Sequence, residues 1–339
     1  MLFKENYPLK KLNTFGIDVY ARYFAEVTNI EHLREVFRTD LRQKKSHLIL
    51  GGGSNLLFTN NFDGLVIKVS LTGVEVISED ANHVVVKAAA GEDWDQFVSH
   101  CVKRGWGGLE NLSMIPGQVG SSPIQNIGAY GAELKDCFES LEAFEKRTGK
   151  IITLNSEDCQ FGYRTSIFKR DARNLFVILS VSFRLRKTGH VLKLGYGSIK
   201  DELQKCRITE PTIADIREVV CTIRRNKLPD PALTGNAGSF FKNPVLSKDA
   251  FEKIKIIYPD LVSFPDKDGV KLAAGWLVEN AGWKAYRLGD AGVHPSQALV
   301  LVNYGNANGM EILNLSEKIK NSVLEKYGVN LEPEVNIVT

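Results

Sequence analysis

The sequence predicts an α+β protein built from short apolar strands, amphipathic helices and two glycine-rich loops. Strand-like apolar runs recur along the chain, and one of them leads directly into a glycine cluster. Helical periodicity appears between these runs and ends at glycine or proline. With 339 residues, the chain is long enough for two or three domains with a sizeable core.

The N-terminal part is predicted to be a small α/β unit at residues 13–69. Thr28 is a suitable N-cap for a helix, and a turn is expected at Asp63-Gly64. The apolar face of that helix would carry Ile30, Leu33, Val36 and Phe37. Strands are predicted at 47–50 and 65–69, and the glycine loop 51–55 follows the first of them.

Strands dominate the next part, from residue 74 to about residue 185. One helix is expected there, because Trp94, Phe97, Val98 and Cys101 lie at helical spacing, and Gly105 would stop it. The predicted strands are 83–90, 141–145, 151–154 and 175–185.

A third unit begins near Pro211. Thr212 opens a helix that ends at Leu228-Pro229, since proline does not allow the helix to continue. Further helices are predicted at 247–256, 271–280 and 310–327, the last with Gly328 as its C-cap, and a strand at 298–302.

The stretch 115–133, with the sequence IPGQVGSSPIQNIGAYGAE, is glycine-rich. Its glycines, together with Pro116 and Pro123, exclude a regular helix. Such a backbone leaves amide N–H groups uncovered, and these groups form sites for anions such as phosphate. The loop 51–55 offers the same chemistry, so the two loops together suggest one extended diphosphate ligand, such as a dinucleotide. The alternative is a glycine-rich surface loop.

Several classes of protein are disfavoured. The chain has neither G-x-G-x-x-G between a strand and a helix nor G-x-x-x-x-G-K-[ST]. Its 43 basic residues nearly balance 40 acidic ones, which gives no case for nucleic acid or an anionic membrane. The N-terminus has no apolar signal region, and the longest apolar run is too short to span a bilayer. Five cysteines without a C-x-x-C pair indicate reduced thiols of a cytoplasmic protein, and no residues have metal-ligand spacing.

Two side chains stand in settings suited to catalysis. Ser239, in the run TGNAGSFFKNP, could donate a proton to a carbanion or enolate. Its alternative role is that of a loop serine capping the next element. Arg164, set among aromatic residues in FGYRTSIFK, suits a carboxylate or phosphate, although on this pattern alone an arginine that extends from a domain surface is the preferred interpretation.

Other candidates have stronger alternatives. Arg224 and Lys227 place two cations near a helix end, where they also suit the helix dipole. Glu334 lies in an apolar run near the chain end, and an exposed edge-strand acid is the preferred interpretation of that local sequence alone. His294 could be a base, but a hydrogen-bonded core histidine is the preferred interpretation.

Taken together, the motifs resemble the type I subgroup of the UDP-N-acetylenolpyruvoylglucosamine reductase (MurB) family. They follow the family's order along nearly the whole chain. The motifs are Asn13-Thr14-Phe15-Gly16, Gly51-Gly52-Gly53-Ser54-Asn55, the run 115–133, Tyr163-Arg164-x-Ser166-x-Phe168-Lys169, Lys227-Leu228-Pro229, the run 235–244, Ala273-Ala274-Gly275-Trp276-Leu277 and Glu334-Val335.

This resemblance implies an α+β fold with a two-subdomain FAD-binding domain of the vanillyl-alcohol-oxidase (PCMH) type, followed by a C-terminal α+β substrate-binding domain. The implied boundaries are 1–72 with the C-terminal strand 330–339, then 73–208, then 209–329. Several relatives of this fold tether flavin through a histidine in the first glycine loop. The loop 51–55 has none, so FAD is expected to be non-covalent.

The implied reaction is NADPH-dependent reduction of the enolpyruvyl group of UDP-N-acetylglucosamine enolpyruvate to UDP-N-acetylmuramate, in peptidoglycan precursor synthesis. By motif position, Ser239 would protonate the enol intermediate, and Arg164 and Glu334 would flank the substrate carboxylate. Glu332 competes for the glutamate role, but Glu334 is preferred because it directly precedes Val335.

The resemblance also implies two sets of binding residues. The FAD set is Gly51, Gly52, Gly53, Ser54, Asn55, Leu56, Ile115, Pro116, Gly120, Ser121, Ser122, Ile124, Gly128, Tyr130, Ile178 and Arg224. The substrate set is Tyr196, Lys227, Asn243 and Gln297. The family resemblance implies a basic residue near the flavin two positions after Glu334. This chain departs from that expectation, because it has Asn336 there.

The expected partners are NADPH and a UDP-sugar, with no nucleic acid and no membrane. A monomer is expected because no long exposed apolar stripe is left over. Two rival functions stay open on the sequence. One is an FAD-dependent oxidase of the same fold that uses oxygen, and the other is a non-catalytic module that binds a nucleotide sugar.

Overall fold

The computed structural model describes residues 3–38 and 46–339, and the chain forms two compact units. The first unit is drawn from Met1–Tyr7, Ala21–Gly52 and Asp63–Asn226, and the second from Pro8–Tyr20, Gly53–Phe62 and Lys227–Thr339. The strands are β1 (Phe3–Pro8), β2 (Tyr20–Val27), β3 (Ser46–Leu50), β4 (Leu56–Phe58), β5 (Phe62–Val69), β6 (Val74–Glu79), β7 (His83–Ala89), β8 (Gly128–Ala129), β9 (Ala132–Glu133), β10 (Phe138–Glu145), β11 (Ile151–Asn155), β12 (Phe176–Arg186), β13 (Gly235–Ser239), β14 (Val245–Leu246), β15 (Ser263–Asp266), β16 (Gly269–Leu272), β17 (Arg287–Leu288), β18 (Ala291–Val293), β19 (Val300–Asn303) and β20 (Asn336–Val338). The helices are α1 (Ile30–Arg38), α2 (Trp94–Lys103), α3 (Ser156–Cys159), α4 (Gly197–Lys205), α5 (Ile213–Lys227), α6 (Lys248–Ile257), α7 (Ala274–Asn280) and α8 (Gly309–Tyr327).

The first unit is organised on two sheets, one of order β1-β2-β5-β3 and one of order β11-β10-β12-β7-β6. The second sheet is antiparallel throughout, and its strand β12 is buried over most of its length. Helix α2 packs on β12 through aromatic rings. The ring centroids of Phe97 and Trp94 lie 5.0 and 5.9 Å from the ring centroid of Phe183. In the other sheet β3 and β5 pair in parallel, with Leu50 opposite Lys68. The end of β3 therefore places the first glycine loop beside Lys68.

The second unit contains the antiparallel sheet β13-β19-β18-β17 and a smaller sheet of order β14-β16-β15. A parallel pair joins the chain end to the first third of the sequence, because β20 pairs with β4. Helix α8 buries Ile312, Leu315, Ile319 and Val323 at helical spacing. Its N-cap Asn308 forms a capping box with Glu311.

Most predicted elements are present within a few residues of their expected bounds. Helix α2 ends just before Gly105, which has φ +74°, and Gly328 caps α8 with φ +66°, so both predicted glycine stops are confirmed. The predicted helix from Thr212 is α5, and it runs up to Leu228-Pro229 as expected.

Three local expectations are wrong. Helix α1 is capped by Asn29, whose Oδ1 accepts from the His32 N–H at 2.8 Å, and not by Thr28. The predicted Asp63-Gly64 turn lies inside β5, where Gly64 pairs with Ser46 of β3. The helix expected from residue 271 begins at Ala274 instead, because residues 271–272 belong to β16 and pair with β14 and β15.

Candidate active site

The glycine-rich stretch 115–133 forms no regular α-helix, as predicted. A 3₁₀ helix covers Val119–Gln125, Asn126 follows in the left-handed conformation with φ 47°, and the short strands β8 and β9 make a hairpin. Buried Asn126 holds this shape, because its side-chain amide donates to the Glu133 carboxylate at 3.1 Å and to the Gly162 carbonyl at 3.0 Å. Its Oδ1 accepts from the Lys135 N–H at 3.1 Å. The stretch is therefore a fixed structure rather than a loose loop.

The two glycine loops lie against each other within the first unit. A Cβ added to Gly52 would stand 2.8 Å from the Gly117 Cα, and one added to Gly51 would collide with the Ser121 hydroxyl. Gly120 is equally tight, since its Cβ would meet the Ala90 Cβ at 2.5 Å. Only glycine allows this approach of backbone to backbone. The predicted union of two amide-rich loops is thus present, and its lack of side chains suits a diphosphate group.

A half-buried lysine that was not singled out from the sequence, Lys68, ties the two loops together. The Lys68 ammonium donates to the Gly51 carbonyl at 2.6 Å and to the Gln118 Oε1 at 3.2 Å. Gln118 in turn donates to the Gly91 carbonyl at 2.8 Å. Burial lowers the pKa of Lys68, and the Glu26 carboxylate opposes that shift. A strand lysine carries no motif, so only the parallel register of β3 and β5 places it at the loop.

Three predicted FAD residues near these loops have structural partners of their own. The Ser122 side chain is buried, and its hydroxyl donates to the Val119 carbonyl at 2.6 Å. The Ile124 carbonyl accepts from the Ser166 hydroxyl at 2.7 Å. Ile178 is buried in β12 opposite Ala143. The side chains of Ser122 and Ile178 are buried, whereas that of Ile124, which belongs to the stretch 115–133, is half-buried.

Arg164 is held against the hairpin of the glycine stretch. Its Nη2 donates to the Gly128 carbonyl at 2.6 Å, and its backbone is left-handed with φ 52°. A non-glycine residue in that conformation costs energy, which surrounding contacts must offset. The half-buried guanidinium lies over the Tyr163 ring, 5.6 Å from its centroid. Arg164 is therefore fixed in place and does not simply extend from the surface.

Arg224, Tyr130 and Tyr196 form a second cluster in the first unit. Arg224 donates from Nε to the Met114 carbonyl at 3.2 Å and interacts with the Tyr130 hydroxyl. Burial lowers the pKa of Arg224 and raises that of Tyr130, and each group opposes the shift of the other. The Tyr196 ring packs edge-on against Tyr130 at 5.3 Å and stays 49% exposed. The predicted substrate residue Tyr196 thus contacts the predicted FAD residue Tyr130, which in turn contacts Arg224.

In the second unit, the Asn13-Thr14-Phe15-Gly16 motif is a scaffold. The Thr14 N–H donates to the Gly53 carbonyl at 3.1 Å, and the Thr14 carbonyl accepts from the Asn236 N–H at 3.0 Å. A Cβ on Gly53 would collide with the Leu12 carbonyl, and one on Gly235 with the Phe15 carbonyl. The motif therefore positions both the first glycine loop and the strand that carries Ser239.

Ser239 lies at the end of β13, after a break in the register of its pairing with β19. Gly238 just before it has φ +70°, and the Asn236 Oδ1 accepts from the Gly238 N–H at 2.9 Å. The Ser239 side chain is exposed, while Phe240 beside it is fully buried. Within residues 3–38 and 46–339 the Ser239 hydroxyl has no hydrogen bond, so capping of a following element is not its role there.

Glu334 lies beside this strand end. Its N–H donates to the Phe240 carbonyl at 2.8 Å, and its carbonyl accepts from the Asn55 side chain at 3.2 Å. Its rival Glu332 is exposed and forms an ion pair with Lys242 at 3.3 Å. Glu334 is half-buried, which favours it as the functional carboxylate. The second unit thus brings together Ser239, Glu334 and Asn55 of the first glycine loop.

The remaining predicted substrate residues belong to the second unit. Asn243 uses its Oδ1 to cap α7, accepting from the Ala274 N–H at 2.9 Å, which leaves its amide N–H₂ as the donor for a ligand. Gln297 lies on a turn where its N–H donates to the His294 carbonyl at 3.3 Å, and Gly275 is adjacent to its Oε1. Lys227 is exposed at the end of α5. Asn336, the departure from the family, donates to the Asn55 carbonyl at 3.0 Å.

Other potential chemistry is disfavoured by the surroundings of the groups. Burial raises the pKa of the Cys101 and Cys159 thiols to about 12, so neither is a nucleophile at neutral pH. Burial also lowers the pKa of His294, whose Nδ1 accepts from the Ser296 N–H at 3.3 Å. The described ranges hold no cluster of three or more metal-ligating side chains. Nor does any helix in them combine the length and apolar character needed to cross a bilayer.

Comparison with known proteins matches two family models to the chain. Residues 21–155 match an FAD binding domain, and residues 230–338 match the C-terminal domain of UDP-N-acetylenolpyruvoylglucosamine reductase. UDP-N-acetylenolpyruvoylglucosamine reductase of Flavobacterium johnsoniae is 48% identical over 339 residues, which is 100% of both chains. The enzyme of Pseudomonas aeruginosa is 47% identical over 335 residues, 98% of each chain. The crystal structure of the reductase from Thermus caldophilus has a TM-score of 0.68 at 24% identity, covering 99% of this chain and 98% of that one, and supports the fold.

An FAD-binding domain followed by this C-terminal domain, on an α+β fold, defines an FAD-dependent oxidoreductase, and the predicted fold class is confirmed. The packed glycine loops fit the cofactor, because they offer backbone amides without side chains. The chain belongs to the UDP-N-acetylenolpyruvoylglucosamine reductase family. The predicted reductase activity in peptidoglycan precursor synthesis is thereby confirmed.

Proposed function

We propose that the chain uses NADPH to reduce the enolpyruvyl group of UDP-N-acetylglucosamine enolpyruvate, giving UDP-N-acetylmuramate. The proposal rests on family membership over the whole length of the chain, together with one observation at the site. That observation is the exposed Ser239 hydroxyl at a strand end, with Glu334 hydrogen-bonded to the next residue along. We further propose a monomer that works in the cytoplasm, with the domain boundaries that the family resemblance implies: 1–72 with 330–339, then 73–208, then 209–329.

FAD is proposed to bind non-covalently, since the loop 51–55 contains no histidine. Bound FAD would supply the hydride chemistry, and the protein the orientation and electrostatics. The packed loops around Gly52 and Gly117 would cradle the diphosphate with backbone amides. Arg224 adds a cation that burial has already stripped of much of its water, which strengthens its attraction to an anion.

Ser239 is proposed to donate the proton that completes the reduction. Addition of hydride to the enolpyruvyl double bond leaves the neighbouring carbon with enolate character. That carbon is basic enough to take a proton from a hydroxyl. The register break and Gly238 hold the Ser239 side chain on the exposed face of the strand. Because Phe240 anchors the next position in the core, the backbone that carries the hydroxyl is fixed in place.

Arg164 and Glu334 are proposed to act on the substrate carboxylate. Arg164 offers charge-assisted hydrogen bonds to a carboxylate that gains enolate charge in the transition state. Its bond to the Gly128 carbonyl fixes the guanidinium before the substrate arrives. The Glu334 N–H donates to the Phe240 carbonyl, and the Glu334 carbonyl accepts from the Asn55 side chain. These two hydrogen bonds fix the backbone from which the Glu334 carboxyl group extends.

The nucleotide sugar is proposed to contact Tyr196, Lys227, Asn243 and Gln297. Tyr196 is half exposed while its ring rests on Tyr130, so it can reach a ligand without losing its anchor. Lys227 provides a cation suited to a diphosphate, and the Asn243 amide provides a donor.

Steady-state measurement tests this proposal. With NADPH and the enolpyruvyl nucleotide sugar under anaerobic conditions, we expect one NADPH to be oxidised for each lactyl ether formed. In a parallel assay in air, oxygen consumption that needs NADPH or sugar substrate but gives no lactyl ether would favour the oxidase. Tight binding of the nucleotide sugar without any NADPH oxidation would favour the binding module. Either result would contradict the proposed reaction.

A further inference from the structure

Met114 immediately precedes the glycine-rich stretch, and its backbone is strained. Its φ is +57°, in the left-handed region that a side chain with a Cβ seldom occupies. Both of its peptide groups are engaged by charged side chains. The Met114 N–H donates to the Asp95 Oδ1 at 2.6 Å, and the Met114 carbonyl accepts from the Arg224 Nε at 3.2 Å. Such a conformation persists only where the surroundings hold it in place.

Asp95 is itself held by a two-pronged ion pair. The Arg217 Nη1 and Nη2 atoms lie 2.7 and 3.0 Å from the two Asp95 carboxylate oxygens. The pair is partly buried, with the Arg217 side chain 17% exposed. Burial alone would raise the pKa of Asp95, but hydrogen bonds from Arg217 and from the Met114 N–H bring it below its ordinary value. The carboxylate is therefore charged and fixed in orientation at neutral pH.

The first turn of helix α2 supports the same loop at two further points. The Trp94 N–H donates to the Gly117 carbonyl at 3.0 Å, and Asp93, the N-cap of α2, forms a backbone bridge with Gln118. The helix start thus acts as a template for residues 114–118. Asp95 is the only side chain of this turn that the described contacts place on the Met114 peptide.

We propose that Asp95, oriented by Arg217, is a positioning residue for the cofactor. It holds Met114 in its strained conformation, which places Ile115 and Pro116 and lets the Met114 carbonyl fix Arg224. The inference rests on the proposed assignment of Ile115, Pro116 and Arg224 to FAD. Asp95 touches neither cofactor nor substrate in this role, and it acts only through the Met114 peptide and the Arg224 side chain.

Titration of the apoprotein with FAD, monitored by the quenching of flavin fluorescence, tests this role without any turnover. Asp95→Ala removes the acceptor, and we expect the Kd for FAD to rise at least tenfold. Asp95→Asn keeps one oxygen that can accept from the Met114 N–H but loses the ion pair, so we expect a smaller rise, of a few fold. Arg217→Met keeps the Asp95 carboxylate, and its Kd for FAD is expected to resemble that of Asp95→Asn. The Arg217→Met variant therefore tests the proposal even if the Asp95 variants do not fold.

A matched control removes a surface ion pair of the same kind. Arg184 donates to Glu139 at 2.9 and 3.2 Å in the same unit, and none of the described hydrogen bonds of this pair reaches residues 114–118. Glu139→Ala should therefore leave the Kd within twofold of wild type. Kd values for Asp95→Ala within twofold of wild type would overturn the inference, as would equal losses in Asp95→Ala and Asp95→Asn. Wild-type protein that does not bind FAD would instead overturn the cofactor assignment itself.

Discussion

Replacing Ser239 with alanine is expected to leave bleaching of the flavin absorbance by NADPH nearly unchanged, while recovery of that absorbance with the enolpyruvyl substrate slows by several orders of magnitude. A positioned general acid typically contributes about 10²- to 10⁴-fold to a proton transfer. The Ser239 side chain is exposed at the end of β13, so its removal leaves the buried neighbour Phe240 in place. Stopped-flow absorbance of each half-reaction, measured separately under anaerobic conditions, gives both rates.

Ser263→Ala is the matched control for this experiment. Ser263 is also a strand serine of the second unit, at the start of the small-sheet strand β15, and no role in the reaction is assigned to it. Both of its half-reactions should match wild type. Equal slowing of the two half-reactions in Ser239→Ala would mean that Ser239 is structural, and the assigned role would then be wrong.

Replacing Gly52 with alanine is expected to yield protein with little bound flavin. The new Cβ would stand 2.8 Å from the Gly117 Cα, so one backbone must move away from the other. Overpacking of this kind costs about 1–3 kcal/mol. If the cost falls on the loop geometry that binds the diphosphate, each 1.4 kcal/mol weakens binding about tenfold. The Kd of apoprotein for FAD, with the absorbance ratio of the purified protein, measures the effect.

Gly197→Ala serves as the control for the glycine experiment. Gly197 begins helix α4, has no neighbour within 4 Å of an added Cβ, and adopts a φ that alanine also accepts. Its variant should bind FAD as wild type does. Unchanged FAD affinity in Gly52→Ala would contradict the proposal that the contact between the loops forms the diphosphate site.

The sequence carries strong signals for the elements whose residues act locally. Helix α2 follows from apolar spacing together with Gly105, and α8 from its periodic apolar face together with Gly328. The sequence predicts that both glycine loops bind one ligand, because successive amides uncovered by side chains form an anion site. Their mutual contact agrees with that expectation.

Long-range pairing explains what the sequence did not indicate. Lys68 supports the first glycine loop only because β3 and β5 pair in parallel with Leu50 opposite Lys68. The residues of one strand do not indicate which other strand it pairs with. The helix predicted from residue 271 begins later for the same reason, since β16 is fixed by two neighbouring strands. Asp95 resembles any acidic residue in a first helical turn, where it suits the helix dipole. Its bond to Met114 depends on how the loop folds back.

The measurement that tests the central claim most directly is an anaerobic visible spectrum of the purified protein. It is recorded first alone, then after NADPH, then after the enolpyruvyl nucleotide sugar. We predict a yellow protein that NADPH bleaches and that the substrate returns to its oxidised colour, without release of the flavin on gentle gel filtration. A colourless protein that cannot be reconstituted with FAD would contradict the account and would leave the packed glycine loops to another phosphate ligand.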